Sequence, residues 1–353
     1  MRRILILAVA GVVGLAAIEL VSSYIYFSHY SGDYQTFRPP GSMAVALVQR
    51  AYDKIRGVSH RVQMSIDHGP LFAASETLGF TILPGRYKVT EHFEGRKHVF
   101  DLTVADSGRR ATSYSPVKAS KRLFITGDSA LFGWGVDDEG TLAWLMQSRL
   151  PNYEVINLSL NSYSTVHALL QLRQVVPQIG PDDIVILEYH PASNALNVAN
   201  PGFLRMFLDG YETQLGNTAQ LRAMKVPFGR IDPGGRFSVD RIRLSCAVEA
   251  PTPECEHPPL SPEMEHQVTE RAFDEIIALN IRHLLVAFLS GPDDDPVIVH
   301  LRSRGLTIAD LRTVDGVPDE ADVIPTDKHA GPFWHHQAYS LLLQALERAS
   351  LVN

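Results

Sequence analysis

From Lys121 onward, short apolar runs alternate with stretches in which apolar residues return every three or four positions. The runs at 123–126, 153–158, 183–189, 283–289 and 306–311 predict buried strands. The stretches 141–150, 165–176, 262–280, 296–304 and 334–351 predict helices, and Ser261-Pro262-Glu263 opens one of them with a capping hydroxyl, a proline and an acid. Strand and helix in alternation predict a parallel sheet covered by helices on both faces.

The preceding part of the chain has a different texture. Residues 86–93 and 97–104 alternate with period two around Glu94-Gly95-Arg96, the pattern of a β-hairpin. Upstream, Ala44, Leu47, Val48, Ala51, Tyr52 and Ile55 lie on one face of an amphipathic helix spanning Met43 to Val62. Residues 28–41 are polar and turn-rich and read as a linker. Residues 200–260 show no clear alternation and read as an insertion at the carboxyl-end rim of the sheet, where loops shape substrate sites.

The N-terminus changes the picture. Arg2 and Arg3 precede an apolar run from Ile4 to Ile18, which resumes after Glu19 through Phe27. Tyr24 and Tyr26 stand where interfacial aromatics would, and no further Lys or Arg occurs before Arg38. Residues 1–27 therefore read as a single-pass membrane anchor, or as a signal peptide cleaved near Val21-Ser22-Ser23. Either reading exports the rest of the chain, and a bacterial-type inner membrane with a periplasmic domain is the expected location. Cys246 and Cys255, nine positions apart in a Pro-rich loop, then read as a local disulfide. The net charge of −7, without any long basic run, disfavours nucleic acid as a partner.

Candidate chemistry begins at Gly127-Asp128-Ser129, a polar turn between the strand 123–126 and a helical run. A serine hydroxyl presented there at a strand's carboxyl end needs a base, and the base needs an orienting carboxylate. Asp327-Lys328-His329, just before the last helix, offers both. A metal reading of Asp327, His329, His335 and His336 lacks the spacing of an HExxH helix. His335 and His336 read better as packing or rim residues, and no GxSxG elbow is present.

With these residues in view, GDSALFGWGVDDEGT resembles the first block of the SGNH (GDSL-type) hydrolases, and TDKHAGPFWHH resembles their last. NLSLNSYST resembles the second block, and residues 184–197 occupy the place of the third. The resemblance covers roughly residues 120–350. It implies a flavodoxin-like three-layer α/β/α domain at 119–353, behind an anchor at 1–27 and an accessory region at 28–118. The accessory hairpin itself resembles one found before the catalytic domain in some membrane-anchored SGNH proteins. A simple edge addition to the main sheet is the alternative.

The implied catalytic set is Ser129, Asp327 and His329. The implied oxyanion hole combines Ser129, Ser162 at the second block's glycine position, and Asn194, with Asn197 as the other candidate in the third block. The implied activity is hydrolysis of oxygen esters, small acyl groups on carbohydrate or lipid, through an acyl-serine. Acyl transfer to an extracytoplasmic glycan, or glycan binding without catalysis, are the alternatives. No metal or organic cofactor is implied.

Overall fold

The computed structural model describes residues 62–93, 95–208, 223–247, 255, 260–312 and 323–352, together with the backbone of 209–215. The expected anchor, linker and almost all of the amphipathic helix lie outside them. No described helix is long and apolar enough to cross a membrane.

The first described strand is β1 (Gln63–Ile66), followed by β2 (Phe72–Ser75) and β3 (Gly79–Ile82), which pair with each other antiparallel. The expected hairpin is β4 (Gly85–Phe93) and β5 (Arg96–Val104), with Val89 opposite Phe100. β1 adds to it, giving a three-stranded sheet in the order β1-β4-β5 that is separate from the main sheet. In β4 the side chains of Tyr87, Val89 and Glu91 are buried while Arg86, Lys88 and His92 are exposed. Two of the three inward residues suit an apolar core. The third, a carboxylate, does not.

The parallel sheet starts with β6 (Lys121–Thr126), β7 (Tyr153–Asn157) and β8 (Ile184–Tyr189). After β6 come the short helix α1 (Ser129–Phe132) and α2 (Leu142–Arg149), after β7 comes α3 (Thr165–Val175), and after β8 come α4 (Ala192–Asn197) and α5 (Pro201–Leu215). Residues 200–260, read as an unpatterned insertion, hold α5 and an antiparallel pair, β9 (Lys225–Ile231) and β10 (Phe237–Arg243). Pro227 and Gly229 inside β9, and Asp240, Arg241 and Arg243 inside β10, hid that pair from a search for alternation. The chain then runs through α6 (Pro262–Ile277), β11 (His283–Phe288), α7 (Pro296–Ser303), β12 (Thr307–Asp310) and α8 (Pro332–Arg348).

Side order in the main sheet is β12-β11-β8-β6-β7, all parallel. Numbered among themselves these strands run 2-1-3-4-5, the doubly wound flavodoxin-like order, whose switch point lies between β6 and β8. Successive side chains of a strand go to opposite layers. Leu123 and Ile125 pack with Leu142 and Met146 of α2 and Leu342 and Leu346 of α8. Phe124 packs with Leu169 and Leu172 of α3, Phe273 of α6 and Ile298 of α7. A third apolar cluster joins Phe72, Phe80, Val89 and Phe100 of the accessory strands to Phe132 at the end of α1 and to Trp134, Leu160 and Tyr163 in loops of the main domain. Cys246 and Cys255 are disulfide-bonded, with their Cα atoms 5.1 Å apart.

Candidate active site

Ser129 is the first residue of α1, directly beyond the carboxyl end of β6. The turn is fixed from several sides. Asp128 caps the helix by accepting from Ala130 N–H (2.9 Å), and Gly133 closes it with a left-handed φ of 84°. Gly127 is required by its neighbour, since a Cβ there would fall 2.1 Å from the Glu188 carboxylate of β8. Arg110, brought from the accessory region and buried, donates to the carbonyls of Phe132 (3.2 Å), Gly133 (2.5 Å) and Val136 (2.5 Å), and pairs with Asp138 (3.1 Å). Arg110 thereby satisfies carbonyls at the end of α1 and in the loop beyond it.

Asp327 and His329 arrive on a turn in which Lys328 takes a left-handed φ of 67°. Lys328 N–H donates to the Ile324 carbonyl (3.0 Å) and Ile324 N–H donates to that of His329 (2.8 Å). His329 Nε2 lies 2.9 Å from Ser129 Oγ, and Nδ1 lies 2.6 Å from Asp327 Oδ2. Asp327 Oδ1 also accepts from the His329 backbone N–H (3.1 Å). With Nδ1 donating to the carboxylate, Nε2 is the free base facing the hydroxyl. Burial disfavours the His329 cation, but the hydrogen bond and charge of Asp327 outweigh it and raise its pKa above the ordinary value. Burial also acts to raise Asp327, which its contacts with His329 hold below the usual carboxylate range. The structure thus brings together all three residues expected to form the relay.

Ser162 stands in a left-handed conformation, φ 63°, the region glycine favours and other residues adopt at a cost. Its loop runs beside the nucleophile turn, since Leu158 N–H donates to Ile125 O (2.7 Å) and Leu160 N–H to Gly127 O (3.1 Å). Neither the Ser129 N–H nor the Ser162 N–H donates to a protein acceptor among the described residues.

The asparagines expected to complete the hole are engaged elsewhere. Asn194 Nδ2 donates to the Tyr189 hydroxyl (3.4 Å), which itself donates to Asp295 (2.8 Å). Asn197 is wholly buried: its Oδ1 accepts from Val166 N–H (2.9 Å) and its Nδ2 donates to Thr269 (2.9 Å) and Thr165 (3.2 Å). None of these hydrogen bonds reaches Ser129, Asp327 or His329. The reason is local: Pro191 leads straight into α4, which turns the following side chains into the core.

His190 instead closes β8, next to the nucleophile turn, and its Nε2 lies 2.7 Å from Asp128 Oδ2. Glu188 Oε2 accepts from Asp128 N–H (2.8 Å), while its buried Oε1 has no hydrogen-bond partner. Burial and the Asp128 charge raise the Glu188 carboxyl well above the usual range. Asp128 moves the other way: burial opposes its charge, but the His190 cation and hydrogen bonds hold it low. Among the described residues, Asp128, Glu188 and His190 are the one group whose ligand atoms lie close enough to share a metal ion, within 4.8 Å. The direct contact of Asp128 with His190 makes a hydrogen-bonded ion pair the simpler account. Of the two histidines read as packing or rim residues, His335 is buried and neutral, its pKa lowered to about 3 chiefly by burial, and it accepts from Leu142 N–H (3.2 Å) at the start of α2. That leaves no four-residue metal site at 327–336.

Sequence reasoning missed His190, Glu188 and Glu91. For Glu188 the signal is a carboxylate inside an otherwise apolar strand, and for Glu91 a carboxylate on the inward face of an alternating one.

No protein-family model matches the sequence, and no curated protein matches it either. Among solved structures the chain is similar to TesA (13% identity, TM-score 0.38), with 65% of this chain covering 99% of that one. It is also similar to a member of the lipolytic G-D-S-L family from Veillonella parvula (10% identity, TM-score 0.37, 65% of this chain and 100% of that). A third is a catalytic mutant of an acetylxylan esterase from Geobacillus stearothermophilus (10% identity, TM-score 0.34, 66% of this chain and 96% of that). At such scores a likeness carries no weight for chemistry, which has to come from the site itself.

Proposed function

We propose that the protein is an SGNH-type serine hydrolase that cleaves oxygen esters through an acyl-Ser129 intermediate. The observation that carries this reading is the hydrogen-bonded series Ser129–His329–Asp327 at the switch point of the sheet. Ser129 Oγ attacks the ester carbonyl while His329 Nε2 takes the hydroxyl proton. Asp327 holds the imidazole tautomer and stabilises its charged form. The carbonyl oxygen gains charge in the transition state and is met by the unengaged N–H groups of Ser129 and Ser162. His329 then protonates the leaving alcohol, and water repeats the sequence to release the acid.

Small acyl groups on carbohydrate or lipid are the proposed substrates, because the Ser162 side chain occupies a place where glycine would leave more room. Export is part of the proposal: the apolar N-terminal run of the sequence and the Cys246–Cys255 disulfide both favour an oxidising compartment. The deciding experiment is labelling with a fluorophosphonate, wild type against Ser129→Ala. Label on Ser129, lost together with esterase activity in the variant, is expected, and undiminished turnover in the variant would overturn the reading. Running the assay on an acetyl ester with and without a polysaccharide acceptor separates hydrolysis from acyl transfer.

A further inference from the structure

The accessory sheet places one polar side chain into the core beneath the site. Glu91 occupies an inward position of β4, after Tyr87 and Val89, and is completely buried. Its Oε1 accepts from Trp134 Nε1 (2.8 Å) and its Oε2 from the Thr326 hydroxyl (2.5 Å). These donors belong to the two segments that carry the relay. Trp134 lies in the nucleophile loop, where its backbone N–H donates to the Ser129 carbonyl (3.0 Å). Thr326 immediately precedes Asp327, whose charge acts on the Glu91 carboxyl. Two neighbouring contacts brace the same loops from β5, His98 Nε2 on the Gly135 carbonyl (2.6 Å) and Arg96 Nη1 on that of Pro325 (3.5 Å).

We propose that Glu91 is a positioning residue of the site, which donates a hydrogen bond to Asp327 and so fixes the carboxylate that orients His329. The proposal rests on the serine-hydrolase reading above. Its chemistry follows from a simple asymmetry. Two neighbouring carboxyl groups in a dry core cannot both ionise cheaply. Asp327 has the His329 imidazole as partner, whereas Glu91 has only the neutral donors Trp134 and Thr326. The proton therefore resides on Glu91, in keeping with burial and the Asp327 charge, which both raise its pKa. A neutral acid there supplies the Asp327 carboxylate with a donor besides His329 and adds no second negative charge. The accessory sheet is thereby part of the acid–base machinery and not only a covering layer.

The test compares wild type, Glu91→Gln and Glu91→Leu in the full chain. Turnover is normalised to the fraction of Ser129 titrated by fluorophosphonate, and the His329 imidazole midpoint is followed by NMR. Gln keeps the shape and an N–H donor, so its kcat per titrated site should stay within about threefold of wild type, with the His329 midpoint unchanged. Leu removes the donor: kcat per titrated site should fall by about tenfold or more with KM nearly constant, as for a misplaced catalytic group. Its His329 midpoint should move upward, because a carboxylate without its extra donor holds the imidazolium more strongly.

A purely structural role would lower the titratable fraction and leave kcat per site and the midpoint alone, which would overturn the proposal. A downward midpoint in the Leu variant would overturn it too, since losing an ionised carboxylate does that. If the Leu variant does not fold, a tenfold loss in the Gln variant still refutes the idea. Failure of wild-type Ser129 to label would sink the hydrolase reading, while the NMR midpoints would go on testing the link between Glu91 and His329.

Discussion

His190 Nε2 lies 2.7 Å from Asp128 Oδ2, one residue before the proposed nucleophile. The contact ties the carboxyl end of β8 to the cap of α1 across the switch point of the sheet. Burial disfavours the His190 cation, yet the Asp128 charge raises its pKa, so Nε2–H is held by the carboxylate. Among the described residues, Nδ1 has no hydrogen-bond partner. In the cationic form it is a spare donor beside the turn that carries Ser129.

This relationship predicts which side chain assists the oxyanion. His190→Ala should lower kcat by about 10²-fold or more with KM nearly constant, the pattern of a contact that strengthens in the transition state. Asn194→Ala should leave kcat nearly unaltered and instead lower stability by about 1–3 kcal/mol, because it breaks a buried contact with Tyr189. Steady-state kinetics and thermal unfolding of both variants check the pair. If the two kinetic results exchange, the hole is built with Asn194.

The pH dependence follows from His329. Its pKa is raised by Asp327, so the free base appears only above the ordinary histidine range, and kcat/KM should rise with pH through a midpoint above about 6.5. Asp327→Asn removes the charge that raises it and misdirects the tautomer. The midpoint should move down while activity falls by roughly 10³–10⁴-fold. A wild-type midpoint below that of the Asn variant would contradict the relay.

Much of this site was legible in the sequence, and the parts that were not have physical reasons. Leu123, Phe124 and Ile125 declare a buried strand by composition, and the turn at 127–129 and the pair Asp327 and His329 declare themselves by residue type. The two halves meet across 200 positions because β6 and α8 share one apolar layer. β8 ends in Tyr189 and the chain runs on through His190 and Pro191 without a glycine, so the sequence alone leaves open which residue of 188–197 faces Ser129. Only the sheet pairing, with Thr126 beside Leu187, fixes which residues follow β8 next to Ser129. Glu91 was hidden for another reason: its partner Thr326 lies 235 positions away, and a period-two pattern predicts a face without saying what covers it.

The disulfide should support stability and leave the chemistry alone. Cys246 packs against the apolar cluster of the accessory strands, α5 and β9, and neither cysteine is a member of the Ser129–His329–Asp327 series. Closing a loop of this size contributes about 2–3 kcal/mol in the chain-entropy account. The Cys246→Ser, Cys255→Ser double variant should therefore unfold at lower temperature, with kcat per titrated Ser129 unchanged. Free thiols in protein isolated from its natural compartment under non-reducing conditions would count against export.

The last prediction concerns Ser162, whose left-handed φ of 63° keeps the backbone shape that glycine would supply. Holding a residue with a Cβ there costs about 1–2 kcal/mol. Glycine would relieve that cost but lose about 0.5–1 kcal/mol to the greater freedom of the unfolded chain. Ser162→Gly should therefore leave stability unchanged or raise it by up to about 1.5 kcal/mol. The N–H survives, so turnover of an acetyl ester should stay within about threefold of wild type, because the hole keeps its donor. The Cβ and hydroxyl disappear, so esters with larger acyl groups should gain more than the acetyl ester. Relative kcat/KM for acetyl, butyryl and hexanoyl esters of one alcohol gives the answer. A hundredfold loss on acetyl would mean that the Ser162 hydroxyl, and not its backbone, meets the substrate. An unchanged chain-length profile would mean that the acyl group lies elsewhere.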